Sequence, residues 1–328
     1  MRSHTQGPSP TLARSTGTPR RGTLYTVPHD AIRLHTDSPA IYALAGRLWD
    51  RDGDGNAGPS DSLQLVLEGT PPGRDVTHEP LLERWTVGPD EAELVLAGAL
   101  HAHIDCARGS AHVRVVDRLV EEDPGLVTRL ALETPVGAML ARRGYAVLHA
   151  GAVVGPLGAV VIRGAPGAGK STLVAAAHRA GFTVLGDETI LAARNDPDDL
   201  LAAVRDVTLL PDAARLLGLD TTPAVGREGK RRVDLPPTSP AGRRARRVAT
   251  VLLGSRDGVA RLDALTPEVF LDEFPAGAIP QERWSGTPSS IAARWARRGA
   301  FRLRGAADLD GAVGLLAELV GAGAEARA

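Results

Sequence analysis

The sequence predicts an α/β domain built around a phosphate-binding loop and preceded by a smaller, β-rich α+β domain. Three observations support this. The segment GAPGAGKS fits the pattern G-x-x-x-x-G-K-[ST]. An apolar strand precedes the loop, while the helix STLVAAAHRA and the apolar strand FTVL follow it. Before residue 135, short alternating or β-branched runs are separated by Gly- and Pro-rich turns, a pattern typical of strands.

Length and composition limit the classes of function. A chain of 328 residues has room for about two domains. Its 38 Lys and Arg residues nearly balance 39 Asp and Glu residues, so no overall charge favours nucleic acid or an anionic membrane as a partner. No run approaches the length of roughly 18 apolar residues typical of a membrane span. The single cysteine, Cys106, excludes an internal disulfide framework, so we expect a cytoplasmic protein.

We predict three segments along the chain. Residues 1–23 are polar, rich in Ser, Thr, Pro, Gly and Arg, and lack the apolar core of a secretory signal, so they form a disordered leader. Residues 24–134 form an accessory domain that selects the substrate. Residues 135–328 form the phosphate-loop domain, and the tail GAGAEARA frays.

The first domain takes its strands from four runs. These are SLQLVLEG, ERWTVG, ELVLAGALHAHID and AHVRVVD, with RDGDGNAGPSD and TPPGRD as intervening loops. The core of the first loop, DGDGN, slightly resembles a calcium loop but lacks the closing Glu, so a solvated turn is favoured. In HAHIDC, strand alternation puts His101, His103 and Asp105 on one face, either as a metal trio or, more commonly, as a solvent-facing edge.

Helical periodicity begins at Pro124 and connects the two domains. The runs AVLHAGAVV and AVVIRG, split by the turn GPLG, predict a β-hairpin that leads into the loop. Farther on, VTLLPDAARLLGL predicts a strand and a helix, ATVLLGS a strand, and DGAVGLLAELV a final helix. The basic segment REGKRRVDLPPTSPAGRRARR is either a site for phosphate or an acidic peptide, or a solvated loop.

The phosphate loop predicts binding of ATP with magnesium. Backbone amides and the start of the helix would bind the polyphosphate. Lys170 would reach the terminal phosphates, and the Ser171 hydroxyl would ligate Mg²⁺. The nucleotide-binding residues are therefore Gly164, Ala165, Pro166, Gly167, Ala168, Gly169, Lys170, Ser171 and Thr172.

Asp187 and Glu188 follow the strand after the loop helix, only seventeen positions beyond Lys170. Because the carboxyl ends of neighbouring strands open onto one crevice, Asp187 can face the terminal phosphate. Three roles compete for the pair: holding magnesium, activating water, or accepting the proton of a substrate hydroxyl. A helix cap or turn carboxylate is the structural alternative. We predict that Asp187 accepts the proton and that Glu188 shares the metal with Ser171.

The segment Leu148–Ala193 resembles the catalytic domain of HPr kinase/phosphorylase and its related serine kinases. The similar features are LHAGAVV, the loop, a helix ending in Gly, and the acidic pair in LGDE. The resemblance implies a phosphate-loop fold shared with phosphoenolpyruvate carboxykinase. It also implies that Asp187 is the proton acceptor, while His149 and Lys170 assist at the phosphates. A His in an apolar strand is otherwise often a satisfied core residue.

The sequence also departs from that family. Glu188 stands where the family has Asp, and VRDVTLLPDAARLLGL replaces the segment that brings a magnesium-binding Glu. Asp206 and Asp212 are candidate replacements for that Glu. The resemblance therefore implies a related kinase acting on a Ser or Thr of a peptide or protein, such as a ribosomally made precursor peptide. It also raises a homo-oligomer as a partner.

Two other functions compete with this one. The first is a nucleotide-operated switch or ATPase in which Glu188 activates water. The second is a small-molecule kinase.

Overall fold

A computed structural model describes residues 22–27, 30–51, 62–70, 83–88, 90–96, 98–202, 207–219, 221, 229–233, 244–277, 282 and 288–321. Several predictions lie outside this range. They are the leader 1–23 apart from its last two residues, nearly all of the two predicted loops at 51–61 and 70–75, Asp206, residues 227–228 and 234–243 of the basic segment, and the end of the tail.

The first unit is an eight-stranded mixed sheet. Its strands are β1 (Thr23–Val27), β2 (Asp30–His35), β3 (Asp50–Arg51), β4 (Leu63–Thr70), β5 (Glu83–Val87), β6 (Glu91–Leu96), β7 (Leu100–Asp105) and β8 (Ser110–Val116). They lie in the order β3-β1-β2-β4-β8-β7-β6-β5. The pairs β2/β4 and β4/β8 are parallel and the other pairs are antiparallel. The four predicted strand runs are confirmed as β4 to β8, the third of them forming both β6 and β7.

Five helical stretches cover the buried face of this sheet and lead out of it. They are α1 (Pro39–Leu48), α2 (Asp117–Glu122), α3 (Pro124–Val127), a π-helical turn (Thr128–Glu133) and α4 (Thr134–Arg142). The Asp123 side chain caps α3 by accepting a hydrogen bond from the Leu126 amide. The predicted helical segment is confirmed, and Leu130, Val136 and Met139 are buried, but residues 134–141 are buried on all sides rather than on one face.

The core of the first sheet includes residues of the second unit. Leu130 and Met139 belong to one cluster of buried side chains with Leu65 of β4, and the same cluster contains Val147, Leu191 and Leu201. The predicted domain boundary after Thr134 therefore lies inside a helical segment. Buried side chains of this segment pack in one cluster with residues of both units.

The second unit is built on a nine-stranded sheet. Its strands are β9 (Tyr145–Leu148), β10 (Gly151–Gly155), β11 (Gly158–Arg163), β12 (Thr183–Gly186), β13 (Ile190–Ala193), β14 (Asp199–Ala202), β17 (Arg244–Leu253), β18 (Arg261–Ala264) and β19 (Ala300–Arg304). The order is β12-β10-β11-β17-β14-β13-β9, with β19 on β17 and β18 on β19. A separate hairpin-like pair consists of β15 (Val207–Leu209) and β16 (Arg231–Val233).

Helices cover both faces of this sheet. They are α5 (Lys170–Arg179), α6 (Pro211–Leu217), α7 (Pro267–Glu273) followed by a 3₁₀ turn (Phe274–Gly277), α8 (Pro288–Trp295) and α9 (Leu309–Leu319). Ile162 of β11 packs in one core cluster with Leu173 of α5 and Leu316 of α9. Val161, its neighbour, packs on the opposite face with Phe270 and Trp295. Strand alternation thus gives a sheet between two helical layers, a mixed α/β architecture.

Five strands of the second sheet run in the same direction, and one of them is β13, which is antiparallel to the β14 strand that lies antiparallel to β17. β17 is parallel to β11, and β19 is parallel to β17. Both β11 and β12 are antiparallel to the β10 strand between them, so β12 also runs parallel to β11. The segments that follow β11, β12, β17 and β19 therefore meet at one edge of the sheet. The phosphate loop and Asp187 therefore follow strands that end at the same edge, with β10 between them.

Two details of the strand predictions are wrong. The run AVLHAGAVV forms two strands rather than one. β9 ends at Leu148 and pairs with β13, whereas β10 begins at Gly151 and pairs with β11 and β12. The Arg-rich end of the basic segment is the start of β17 rather than a loop. Its arginines form ion pairs with aspartates on β14 and just before it, namely Asp196, Asp198 and Asp199.

Candidate active site

The phosphate loop connects β11 directly to α5. Gly169 adopts a φ of 100°, a left-handed conformation that favours glycine, and forms the N-cap of α5. Gly164 lies where a Cβ atom would be 3.0 Å from the Leu253 Cβ atom of β17. The loop thus packs closely against the next strand, and the first amides of α5 have no partner within the helix.

Lys170 lies inside the loop. Its side chain is 7 % exposed and its Nζ donates a hydrogen bond of 3.0 Å to the Gly164 carbonyl oxygen. Burial lowers the pKa of Lys170, and the charges of Glu188 and Asp187 oppose that shift. The ammonium group is therefore held at the loop, within the field of both acidic residues.

Asp187 lies immediately after β12 and is 1 % exposed. Among the described residues, neither of its carboxylate oxygens has a partner in hydrogen-bonding geometry. A Cβ atom at Gly151 would lie 3.7 Å from Oδ1 of Asp187, so a glycine on the adjacent strand leaves space beside the carboxylate. A buried carboxylate without a partner is costly, and a functional group is the usual reason for retaining one.

The environment of Asp187 raises its pKa to about 7, first through burial and then through the charge of Glu188. The Ser171 side chain and the Thr208 backbone amide lie close enough to favour the charged form in part, as does Lys230. A carboxyl that titrates near neutrality is suited to accept a proton at physiological pH.

Glu188 differs from Asp187 because two basic side chains bind it. Lys230 Nζ lies 3.1 Å from Oε1, and His149 Nδ1 lies 3.5 Å from Oε2. Although burial acts to raise it, the charge of Lys230 leads the interactions that hold the pKa of Glu188 below its usual range. The two adjacent carboxylates therefore have opposite pKa shifts, which separates their chemical roles.

The strand pairing places His149 opposite Glu188. Leu148 of β9 pairs with Ile190 of β13, and Ala152 of β10 pairs with Gly186 of β12. His149 and Glu188 lie between these two pairs, on segments that are outside the strands. In this gap His149 Nδ1 lies 3.0 Å from the Glu188 carbonyl oxygen. Since a carbonyl only accepts, Nδ1 carries the proton and Nε2 of the neutral ring is an acceptor. Burial lowers the pKa of His149, which favours the neutral ring. To assist at the phosphates as a cation, the ring would have to gain a proton when the phosphate is bound.

Arg163 and Glu282 form a buried ion pair beneath the loop. Arg163 is the last residue of β11, and its two terminal nitrogens each lie 2.8 Å from an oxygen of Glu282. The Arg163 Nε atom donates to the Phe274 carbonyl oxygen, and Glu282 accepts a 2.7 Å hydrogen bond from the His149 amide. The pair therefore ties the phosphate loop, His149 and the segment after α7 together.

The sequence analysis missed this pair and the contact of Lys230. A charged residue in the apolar run AVVIRG was the available signal for Arg163, because a buried charge needs a partner. Glu282 lies 119 positions away, and no local pattern indicates it. Lys230 was only one of several basic residues, and the pairing of β16 with β15 places it beside the acidic pair.

Three arginines of the basic segment do not face a ligand site. Arg244 binds Asp199, Arg246 binds Asp196, and Arg247 binds the buried Asp198. Of the two predicted alternatives for this segment, the described arginines of β17 match neither, since they lie in a strand and form ion pairs.

The histidines of β7 lie on the partly exposed face of the first sheet. His101 binds Glu93 of β6 at 2.7 Å, and His103 stands opposite His112 of β8. Within the described ranges, no group of three or more His, Cys, Asp or Glu side chains is arranged to hold a metal ion. Also within these ranges, no helix is long and apolar enough to cross a membrane.

Comparison with known proteins adds no relative. No model of a known family matches this chain, and no curated protein matches it at a significant level.

Proposed function

We propose that this chain is an ATP- and magnesium-dependent kinase related to HPr kinase/phosphorylase, which transfers the γ-phosphate to a Ser or Thr hydroxyl of a peptide or protein. The proposal includes a phosphate-loop kinase fold of the HPr kinase/phosphoenolpyruvate carboxykinase type and a cytoplasmic location. Support comes from the loop at 164–169 and from the acidic pair at the same sheet edge.

The observation that carries the proposal is the state of Asp187. Its carboxylate is buried, has no hydrogen-bond partner among the described residues and titrates near neutrality. An acceptor hydroxyl bound between Asp187 and the terminal phosphate would give its proton to an Asp187 oxygen. The hydroxyl oxygen forms the new bond to phosphorus, and the bond to the bridging oxygen of the nucleotide breaks.

Other residues of the chain would stabilise the charge that develops. Lys170 and the first amides of α5 are donors fixed in place before reaction, so they can bind the phosphate oxygens without reorganisation. Arg163 and Glu282 would act as positioning residues, because they fix the start of the loop and the His149 backbone.

The donor set also fits magnesium. Ser171 supplies a hydroxyl and Glu188 a carboxylate, which are oxygen ligands of the kind this ion prefers. When bound, the ion would neutralise charge on the phosphates. Glu188, the carboxylate predicted to share the metal, would have to exchange Lys230 for the ion.

The acceptor is assigned to a peptide or protein from the resemblance to HPr kinases. Thr208 of β15 and Lys230 both lie beside the acidic pair, so these elements could contact an acceptor bound there. A homo-oligomer and substrate selection by the first unit remain predictions.

The surroundings of Glu188 argue against the ATPase or switch. In that function Glu188 would activate water, but its lowered pKa and its contacts with Lys230 and His149 make it a weak base. Asp187 has the properties that a proton acceptor needs, which favours transfer to a hydroxyl.

The test is transfer from γ-labelled ATP with magnesium to peptides encoded beside the gene, followed by mass spectrometry. Free serine serves as the control for a small-molecule kinase. A peptide that gains one phosphate with wild-type protein and none with Asp187→Asn supports the proposal. Release of phosphate alone, dependent on Glu188 and not on Asp187, would replace it with the ATPase.

A further inference from the structure

A surface cavity lies at the same sheet edge as the phosphate loop. It has a volume of about 400 Å³. The cavity is partly open to solvent and lies among the segment after β17, the start of β18 and the end of β19, with the lining residues Ser255, Asp257, Gly258, Val259, Ala260, Arg261 and Arg304. Its size falls within the usual range for small-molecule sites.

The strand order places this cavity next to the phosphate loop. β17 is the parallel neighbour of β11, and β19 is the parallel neighbour of β17. The close approach of Gly164 to Leu253 brings the loop and the end of β17 together. Two strand spacings, roughly 10 Å, separate β11 from β19 along the sheet.

The direction of a bound nucleotide follows from the same order. Asp187 follows β12, on one side of β11, and fixes the reacting end of the phosphate chain there. A phosphate chain that crosses the loop from that end leads to the other side of β11. The ends of β17 and β19 lie on that side, and the residues that line the cavity belong to or follow these strand ends.

We infer that the cavity between 255–261 and Arg304 binds the ribose and base of the nucleoside triphosphate whose phosphates the loop at 164–169 binds. This inference rests on the proposed function and extends it to the nucleoside. The Asp257 carboxylate would accept hydrogen bonds from sugar hydroxyls or base amino groups. The Arg261 guanidinium would stack on the planar base, a contact that arginine favours.

The exposure of the lining fits a ligand of mixed polarity. Val259 is 81 % exposed although it is apolar, and Arg261 is 66 % exposed with only a 3.8 Å contact to Asp263. A base packed between these two side chains would remove apolar surface from water.

Hydrogen bonds fix the walls of the cavity. The Gly305 amide donates to the Ser255 carbonyl oxygen at 2.8 Å, and the Ala307 amide donates to the Arg256 carbonyl oxygen at 2.9 Å. Asp308 accepts from the Ala260 amide, which joins the start of α9 to the same loop. A preformed site loses little conformational freedom on binding.

The experiment compares the binding of ATP and inorganic tripolyphosphate, both with magnesium, by calorimetry. Wild-type protein should bind ATP more tightly than tripolyphosphate. Asp257→Ala and Arg261→Ala should each weaken ATP about tenfold, the effect of one lost charge-assisted contact. Their affinity for tripolyphosphate should stay unchanged.

Two exposed residues supply matched controls. Asp90→Ala and Arg108→Ala, both in the first unit, remove the same side-chain types at 51 % and 78 % exposure. Neither should change the affinity for ATP.

Each other outcome has a distinct meaning. Equal wild-type affinities for ATP and tripolyphosphate, or variants that lose both ligands together, would overturn the nucleoside site and leave the phosphate loop as proposed. Unchanged ATP binding in both cavity variants would overturn it as well. If wild-type protein bound neither ligand, the proposed function itself would fail.

Discussion

Arg163 and Glu282 are joined by two contacts of 2.8 Å, and each side chain is only 1 % exposed. A buried pair of this kind contributes little over an apolar replacement, but removing one partner leaves a buried charge. We therefore expect Glu282→Gln to lower the free energy of unfolding by about 3–5 kcal/mol.

Urea denaturation checks this value. Glu122→Gln is the matched control, since Glu122 and Arg118 form an exposed pair on α2, and its effect should stay below about 1 kcal/mol. Equal effects of the two substitutions would show that the buried pair has no special role in stability.

Replacement of the proposed base should abolish transfer but not binding. Asp187→Asn keeps the shape of the side chain and removes its ability to accept a proton. We expect transfer to a peptide to fall about 100- to 10,000-fold, as for other general bases. Lys170→Ala should weaken both ATP binding and transfer, because its ammonium group lies in the loop. Transfer by Asp187→Asn at the wild-type rate would refute the role of Asp187.

The rate of transfer should rise with pH through about 7. Asp187 must be deprotonated to accept a proton, and its pKa is raised to about 7. Glu188→Gln removes a negative charge that raises this pKa, so the rise in rate should move to lower pH. Lys230→Ala removes a positive charge that lowers it, so the rise should move to higher pH. Shifts in the same direction for both variants would contradict this electrostatic account.

The raised pKa of Asp187 also affects stability. A carboxyl whose pKa is higher in the folded protein than in the unfolded chain binds its proton more tightly when folded. Its contribution is fully present below the unfolded value of about 4 and is lost as the pH rises through about 7. Between pH 5 and 8, wild-type protein should therefore lose more unfolding free energy than Asp187→Asn, as measured by urea denaturation at each pH. A larger loss in Asp187→Asn would contradict the sign of the shift.

Glycine 151 should resist substitution because of its surroundings. An added Cβ atom would lie 2.6 Å from the Val174 Cγ2 atom, so α5 or the strand must move. We expect Gly151→Ala to destabilise the protein by about 1–3 kcal/mol. Gly314→Ala is the control, because no atom lies within 4 Å of its added Cβ in α9 and alanine is the better helix former. Thermal unfolding should show opposite shifts, and equal stability of the two variants would argue against crowding at Gly151.

The local features of the site were predictable because they are written in contiguous sequence. The loop pattern and the flanking apolar runs indicated β11, α5 and β12, and the short spacing from Lys170 indicated where Asp187 would lie. Helical spacing of apolar residues indicated the helical segment after Pro124, in which Leu130, Val136 and Met139 are buried.

The remaining features depend on contacts between distant segments. The break at His149 arises because β9 and β10 pair with different strands, which an apolar run does not reveal. Buried ion pairs such as Arg247 with Asp198 and Arg163 with Glu282 join residues far apart in sequence. The Arg-rich start of β17 looked like a loop because its partners lie on β14 and in the preceding turn.

The shared core around Leu130, Met139 and Leu201 has a consequence for how the chain folds and divides. A fragment beginning at residue 135 would expose buried side chains of α4 such as Met139 to water, and a fragment ending at 134 would lose the cover that Val147, Leu191 and Leu201 supply. The two units should therefore unfold together in a single cooperative transition. Joining the second unit to a different first domain would then require redesign of this shared core.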